Sequence, residues 1–278
     1  MDIRSASVDE LFALARASEG EEAYWEAVAE LHTRAEQRTF DLASVLCDSF
    51  AVGERCLGAD VLSQLGAGPG KSAAESPFAS AAADVLMRLL DEDDEPAVVS
   101  SAAVGLGHLR DERAIDALVG LASNPDAAVR RGVVHGLMGH DDDRAVAALI
   151  ELSGDSDGDV RDWATFSLGV QIDRDSVELR EALAARLGDT HGDTHAEAVR
   201  GLARRRDERA LGALLEAGGA GFSPTLDEAV VLLGATTGDP RLRDRLEALR
   251  ADPETAALYG DELERALERC AAGSAGGA

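Results

Sequence analysis

The sequence predicts an all-α fold, a right-handed α-α superhelix made of stacked helical hairpins. Three observations support this class: a core of small residues, a repeated unit, and helical spacing of the apolar residues within each unit. Hydrophobic residues make up 45 % of the 278-residue chain but aromatic residues only 4 %, so alanine, leucine and valine must fill the interior. We expect about 75 to 85 % helix and no sheet.

A repeat organises the chain. Segments that begin at residues 98, 129, 160, 194 and 225 each contain a helix, a short polar turn and a second helix, as in VRRGVVHGLMGHDDDRAVAALIELS. One leucine recurs at intervals of 31, 31, 34 and 31 residues: Leu106, Leu137, Leu168, Leu202 and Leu233. Such a period is typical of stacked repeats, because one hairpin cannot bury its apolar stripe alone.

Within each unit, apolar or small residues recur at steps of three and four. In the unit that begins at residue 129 these are Val129, Val133, Gly136 and Leu137, which lie on one side of a helix. We therefore expect this side to face the core. Aspartate in place of Val133 or Leu137 should unfold the middle of the array.

Three regions are predicted along the chain. Residues 1–50 form an N-terminal helical capping region, since they contain helical hairpins without the repeat. Residues 51–270 form the repeat solenoid, and residues 271–278, AAGSAGGA, form a disordered tail because they are small and rich in glycine. Ser7 with Glu10, and Thr194 with Glu197, have the spacing of capping boxes and predict two helix starts.

The charge and the cysteines limit the function and the location. The chain has 53 acidic and 27 basic residues, a formal charge of -26, and such an acidic protein repels nucleic-acid phosphates. We expect a cytoplasmic protein with no membrane segment, because MDIRSASVDELF lacks the features of a signal peptide and no run approaches about 18 apolar residues. The cysteines lack metal-binding spacing and are expected to be reduced, buried and inert: Cys47, Cys56 and Cys270.

The stretch GAGPGKS is close to a phosphate-binding loop. Gly66 is followed by three residues before Gly70, Lys71 and Ser72, whereas the nucleotide-binding loop has four and lies between a strand and a helix. Here the flanking patterns are helical. We therefore interpret the segment as a long connection between helices and predict no cofactor.

The stretch DTHGDTHAE offers a possible metal site. His191, Asp193 and His195 are ligand types, and histidines four residues apart on a helix share a face. Gly192 and the predicted cap at Thr194 place His191 before the helix, so the two histidines need not converge. We predict no metal and no catalytic residues.

The segments PDAAVRRGVVHGLMG and GDVRDWATFSLG, together with DDRAVAALIELS, resemble HEAT repeats of the short type known as PBS-lyase HEAT-like repeats. The resemblance covers about residues 50 to 250 and implies an armadillo-like α-solenoid. Members of this class include scaffolds, adaptors and enzymes, so the resemblance implies a fold more than a function. The Asp-x-x-Val-Arg or Asp-Val-Arg pattern is complete in two of five units, those at residues 129 and 160.

Two enzymes with this type of repeat are alternatives, a bilin lyase and, less favoured, an alkylpurine DNA glycosylase; a third, deoxyhypusine hydroxylase, is disfavoured. Bilin lyases attach tetrapyrroles, but nothing in the sequence identifies a tetrapyrrole site. Deoxyhypusine hydroxylase binds iron through His-Glu dipeptides, and this sequence has none. Alkylpurine DNA glycosylases use a basic concave surface, and the arginine-rich stretch RGLARRRDER is the one feature of this sequence that favours nucleic-acid binding. The alternative interpretation is structural: arginines near a helix C-terminus interact favourably with the helix dipole and form ion pairs with the acidic residues beside them.

The preferred function is a protein-protein interaction scaffold or adaptor that binds a partner segment, possibly a basic one, in its concave groove. In HEAT folds the helices with the register leucines line that groove, and apolar residues there can anchor a partner. Thr165 and Val199 are expected on the same strip; the alternative is that Trp163 and Phe166 fill gaps between repeats. The predicted partner-binding residues are Val104, Arg131, Val134, His135, Met138, Asp162, Trp163, Phe166 and Arg200.

Overall fold

The computed structural model describes residues 3–18, 20–216 and 224–275 and confirms the all-α prediction. Helix accounts for 76 % of the structure, and the described ranges contain no strand apart from a single antiparallel bridge between Gly68 and Lys71. The chain divides into two compact units, Met1–Ala148 and Leu149–Ala278. The boundary predicted at residue 50 lies inside the first of them.

The first unit contains the predicted N-terminal helices and the first repeats. Its first helix has the predicted capping box: Ser7 Oγ accepts from the N–H of Glu10 at 3.3 Å, and Glu10 Oε2 accepts from the N–H of Ser7 at 2.7 Å. The helices are α1 (Val8–Ala17), α2 (Glu21–Thr33), α3 (Gln37–Cys47), α4 (Val52–Ser63), α5 (Ala79–Glu92), α6 (Pro96–Leu109), α7 (Ile115–Gly120) and α8 (Ala127–Leu137); α9 (Asp143–Leu152) contains the division between the units.

The second unit continues the pattern. A π-helical turn, Ser167–Gln171, follows α10 (Gly158–Phe166) directly. The remaining helices are α11 (Val177–Ala185), α12 (Gly192–Arg204), α13 (Arg209–Glu216), α14 (Pro224–Thr237), α15 (Arg243–Ala251) and α16 (Pro253–Ala275), which is kinked at Gly260. Thus α16 includes residues 271–275 of the predicted tail, and residues 276–278 lie outside the described ranges.

The register leucines form the core, as predicted. Each of them is at most 1 % exposed: Leu106, Leu137, Leu168, Leu202 and Leu233. Within the first unit, α6 packs on both α4 and α8. The close approach of α6 and α8 requires glycine, because a Cβ on Gly107 would lie 2.4 Å from the carbonyl oxygen of His135.

Two arginine arrangements recur in the repeats. In the first, an arginine near a helix start donates to the carbonyls five and six residues earlier, which ties the turn to the helix: Arg55, Arg130 and Arg161. Two of these arginines also form bidentate ion pairs with an aspartate farther along the chain, Arg55 with Asp93 and Arg161 with Asp189.

The second arrangement is an Asp-x-Arg motif at the start of the second helix of a repeat. The arginine folds back on the aspartate, whose carboxylate accepts from the backbone N–H of the same arginine and so caps the turn. The motif occurs at Asp111–Arg113, Asp142–Arg144, Asp207–Arg209 and Asp239–Arg241. Three of these arginines also reach an acidic residue of an earlier helix: Asp84, Asp116 and Glu181.

The glycine-rich connection between α4 and α5 does not have the surroundings of a phosphate-binding loop. Helix α4 precedes it, a single 3₁₀ turn at Ala73–Glu75 follows it, and the bridge between Gly68 and Lys71 closes it into a tight turn. Gly66 has φ +93°, and its N–H donates to the carbonyl of His32 at 2.7 Å, which holds the start of the connection against α2.

Candidate functional site

The predicted partner-binding residues of the first unit are only partly accessible. Arg131 is exposed on α8, while Val104, His135 and Met138 are half-buried. Val134 is 0 % exposed, so the prediction that it faces away from the core is wrong. Burial lowers the pKa of His135, and the neighbouring Arg131 lowers it further because two positive charges repel.

A buried polar group in the first unit escaped the sequence analysis. The hydroxyl of Tyr24 donates to Asp60 Oδ2 at 2.7 Å, and His32 Nε2 lies 2.9 Å from the carbonyl oxygen of Asp60. Burial raises the pKa of Asp60, although hydrogen bonds from Tyr24 and Ser101 oppose the shift. Burial also raises the pKa of the nearby Cys56 thiol, which favours the neutral, weakly nucleophilic form.

The predicted residues of the second unit form a connected surface. The rings of Trp163 and Phe166 meet edge to face, with centroids 5.8 Å apart and an interplanar angle of 86°. Arg200, on the neighbouring helix α12, places its guanidinium carbon 5.5 Å from the centre of the Phe166 ring, a cation–π distance. We call Trp163, Phe166 and Arg200 the aromatic face. Trp163 is 39 % exposed, which is enough to present its ring to a partner.

Carboxylates hold the arginine of the aromatic face in place. Arg200 Nη2 donates to Glu197 Oε2 at 2.6 Å, and Glu228 accepts from both Arg200 and Arg204. Burial raises the pKa of Glu197, and the adjacent Arg200 opposes this shift. Thr165 and Val199, which we expected on the same strip, are both 0 % exposed and belong to the core.

The arginine-rich stretch RGLARRRDER spans the end of α12 and the start of α13, and most of its arginines make contacts within the protein. Arg204 and Arg209 are paired with acidic side chains, and Arg205 donates to backbone carbonyls. The carbonyls that accept from Arg205 belong to the π-helical turn, the loop after it and α12: Leu168 (2.9 Å), Gly169 (3.1 Å), Ile172 (2.7 Å), Arg174 (3.0 Å) and Gly201 (3.0 Å). These contacts occupy the charges that could otherwise neutralise phosphates, so they do not favour a nucleic-acid site.

The histidine-rich stretch has a different geometry from the predicted one. His191 is the N-cap residue of α12, so Thr194 lies inside the helix and the predicted Thr194–Glu197 capping box is wrong. His195 turns away, because its Nδ1 lies 2.6 Å from the carbonyl oxygen of Leu187. Asp162 of α10 takes its place beside His191 and Asp193.

Comparisons with known proteins agree with this architecture. Together the helical hairpins define a helical-repeat protein, and the model of the family described as HEAT repeats matches residues 80–169. These residues are HEAT repeats, as the sequence resemblance implied. No curated protein sequence matches the chain. No helix in the described ranges is both long and apolar enough to cross a membrane.

Solved structures extend the similarity in fold to most of the chain. The YibA protein of Escherichia coli is similar with a TM-score of 0.70 and 22 % identity, over 95 % of this chain and 94 % of that one. Two engineered proteins are similar at lower scores. One has a TM-score of 0.51 and 18 % identity over 96 % of this chain and 81 % of its own, and the other has 0.50 and 19 % over 72 % and 98 %.

Proposed function

We propose that this protein is a protein-interaction module and that the aromatic face of the second unit anchors a segment of a partner. The observation that carries the proposal is the exposed Trp163 ring, which is held by Phe166 and, through it, by Arg200. Tryptophan and arginine are the residues most often responsible for binding energy at protein interfaces. A ring that is already held in place loses little conformational entropy on binding, which favours affinity.

The partner segment in this proposal is basic. The chain has a formal charge of -26, so its field attracts cations over distances of about 8 to 10 Å at physiological salt. Asp162, which belongs to the predicted partner-binding set, is half-buried on the same helix as Trp163. A lysine or arginine side chain can stack on an indole and pair with a carboxylate.

The predicted residues of the first unit are a second contact surface in the same proposal. Arg131, exposed on α8, and the half-buried His135 and Met138 combine charge with flexible apolar contact area. A rim charge acts mainly on the rate of association, so Arg131→Glu should change the salt dependence of binding more than the dissociation rate.

Peptide display on the wild-type protein, followed by affinity measurements on the selected peptides, tests the proposal. Trp163→Ala and Phe166→Ala should each weaken binding about thirtyfold, the equivalent of about 2 kcal/mol for a well-packed aromatic anchor. Trp25→Ala and Phe50→Ala are matched controls, since these rings are 46 % and 105 % exposed in the first unit. Circular dichroism of every variant checks the fold.

Two results would contradict the proposal. One is that no peptide is selected at physiological salt. The other is that Trp163→Ala and Phe166→Ala bind the selected peptides as tightly as the two controls do. If the selected peptides are acidic and depend on Trp163, the aromatic face is correct and the predicted charge of the partner is wrong.

A further inference from the structure

Three potential metal ligands converge beside the aromatic face, within the second unit. Asp162 lies on α10, and His191 and Asp193 lie at the start of α12. One ligand atom from each residue can be chosen so that all three atoms lie within 4.8 Å of one another. Two carboxylate oxygens and one imidazole nitrogen at this separation need only small side-chain rotations to share one ion at about 2.0 to 2.2 Å.

One carboxylate oxygen of Asp162 lacks a hydrogen-bond partner within the part of the chain that the structure describes. Asp162 Oδ1 is buried from solvent, and no hydrogen-bond donor among the described residues reaches it. A buried carboxylate oxygen without a donor is destabilising, because it has lost its water without a replacement. A bound cation supplies the missing interaction, and His191 and Asp193 are the ligand types in reach.

The surrounding residues fix the three ligands relative to one another. Burial raises the pKa of Asp162. The buried hydroxyl of Thr194 lies 3.2 Å from His191 Nδ1 and is close enough to the Asp162 carboxylate to help lower that pKa. Asp189 accepts from the backbone N–H of His191 at 3.0 Å and forms a bidentate ion pair with Arg161 at 2.9 and 3.0 Å. The recurrent arginine pair therefore ties the turn that carries His191 to the helix that carries Asp162, as outer-shell partners do in metal sites.

We propose that Asp162, His191 and Asp193 bind a divalent transition-metal ion of the zinc, cobalt or manganese class. The imidazole favours such ions over Ca²⁺ and Mg²⁺, which prefer six or more oxygen ligands. Three protein ligands leave at least one coordination position for water or for an incoming ligand. The ion would also offset the repulsion between the neighbouring carboxylates of Asp162 and Asp193.

Titration of the metal-stripped full-length protein with Zn²⁺ by calorimetry, and with Co²⁺ by visible absorption, tests this site. We expect one equivalent to bind, with Co²⁺ giving the absorption of a low-coordinate N/O site. Asp162→Asn and His191→Ala should each weaken binding at least tenfold. Asp159→Asn, which changes an exposed carboxylate of the same helix, and His108→Gln, which changes an exposed histidine of the first unit, should leave binding unchanged.

The thermal midpoint separates loss of the site from loss of the fold. Without metal, Asp162→Asn should unfold at the wild-type temperature or above it, since it removes a buried charge; with Zn²⁺, wild type should gain stability and this variant should not. Two outcomes would overturn the proposal: wild type binding neither ion at concentrations up to about ten micromolar, and Asp162→Asn and His191→Ala binding as tightly as their controls. An Asp162→Asn variant that unfolds far below wild type without metal would show that the carboxylate is structural instead.

Discussion

Replacement of Arg205 by alanine should destabilise the second unit more than replacement of any other arginine in the stretch RGLARRRDER. The guanidinium donates to five backbone carbonyls of the π-helical turn, the loop after it and α12. Alanine therefore removes the group that organises the whole connection between α10 and α11.

The magnitude follows from the number and type of these bonds. A hydrogen bond that involves a charged group contributes about 1.5 to 3 kcal/mol, but the values do not add, and water can reach some of the carbonyls in a half-buried site. Burial also lowers the pKa of Arg205, which shows that desolvation of the guanidinium opposes its contribution. We expect a net loss of about 3 to 5 kcal/mol, because several hydrogen bonds to one charged group are lost together.

Urea unfolding followed by circular dichroism measures this loss, and hydrogen exchange of residues 167–176 locates it. The local measurement matters because repeat arrays need not unfold in one step. Arg204→Ala is the matched control: the side chain is 38 % exposed and makes one ion pair and one bond to the turn, to the carbonyl of Val170 at 3.0 Å, so it should contribute about 1 to 2 kcal/mol. If Arg205→Ala and Arg204→Ala differ by less than about 1 kcal/mol, and exchange at the turn is unchanged, the reasoning is refuted.

Two further predictions concern the core and the acid stability. Val133→Asp places an unpaired charge at a position that is 0 % exposed and should lower the free energy of unfolding by several kcal/mol, about what buried charges cost; an unchanged melting temperature would contradict the assigned core face. The hydrogen bond from Arg161 lowers the pKa of Asp189 from 3.8 to about 2. The folded-state pKa is below the unfolded value, so this stabilisation is complete above about pH 4 and is lost as the pH falls toward 2. The difference in stability between wild type and Asp189→Asn should shrink across that window, and a constant difference in acid titrations would argue against the ion pair.

The sequence predicted the core well because the information is local. Apolar residues at helical spacing mark one side of each helix, and the register leucines all lie in the interior. The prediction failed at Val134, Thr165 and Val199, which are 0 % exposed although they flank the expected stripe. First helices in stacked repeats are covered on several sides, and small residues let the neighbours approach, so the buried stripe is wider than on a surface helix.

The two arginine arrangements could have been predicted from the sequence, because their residues recur in the repeats. The Asp-x-Arg motif occurs in RDERA and DDDRA, within the repeat segments themselves, and the recurrence alone marks it as structural. Four of these arginines pair with an acidic residue 28 or 29 residues away, for example Arg113 with Asp84 and Arg161 with Asp189, and Arg55 pairs with Asp93 38 residues away. Local spacing cannot identify such contacts. The repeat period can, because similar positions of consecutive repeats lie against each other.

The three proposed metal ligands, Asp162, His191 and Asp193, were not brought together by the sequence pattern. Asp162 lies six residues before Leu168 and Asp193 nine residues before Leu202, so the two carboxylates come near the starts of adjacent repeats but not at equivalent positions. The sequence pattern offered His195 as the second histidine ligand, although the predicted cap at Thr194 already placed His191 before the helix. In the structure, the N-cap of α12 falls at His191 and the ring of His195 turns to the carbonyl of Leu187. The cap position, which local patterns define to within one or two residues, decided which side chains converge.

The aromatic face and the three proposed metal ligands share helices α10 and α12, but substitutions in the two sites should weaken the binding of different ligands. Asp162 and Trp163 are neighbours on α10, yet the Asp162 carboxylate turns toward Thr194 while the Trp163 ring contacts Phe166. Trp163→Ala should therefore weaken peptide binding and leave Zn²⁺ affinity intact, and His191→Ala should do the reverse. If His191→Ala also weakens peptide binding, and only when Zn²⁺ is present, the ion completes the partner surface and the two sites are linked in binding free energy. Loss of both activities in Trp163→Ala with unchanged circular dichroism would instead show that the indole positions Asp162, and the two sites could not then be treated as independent.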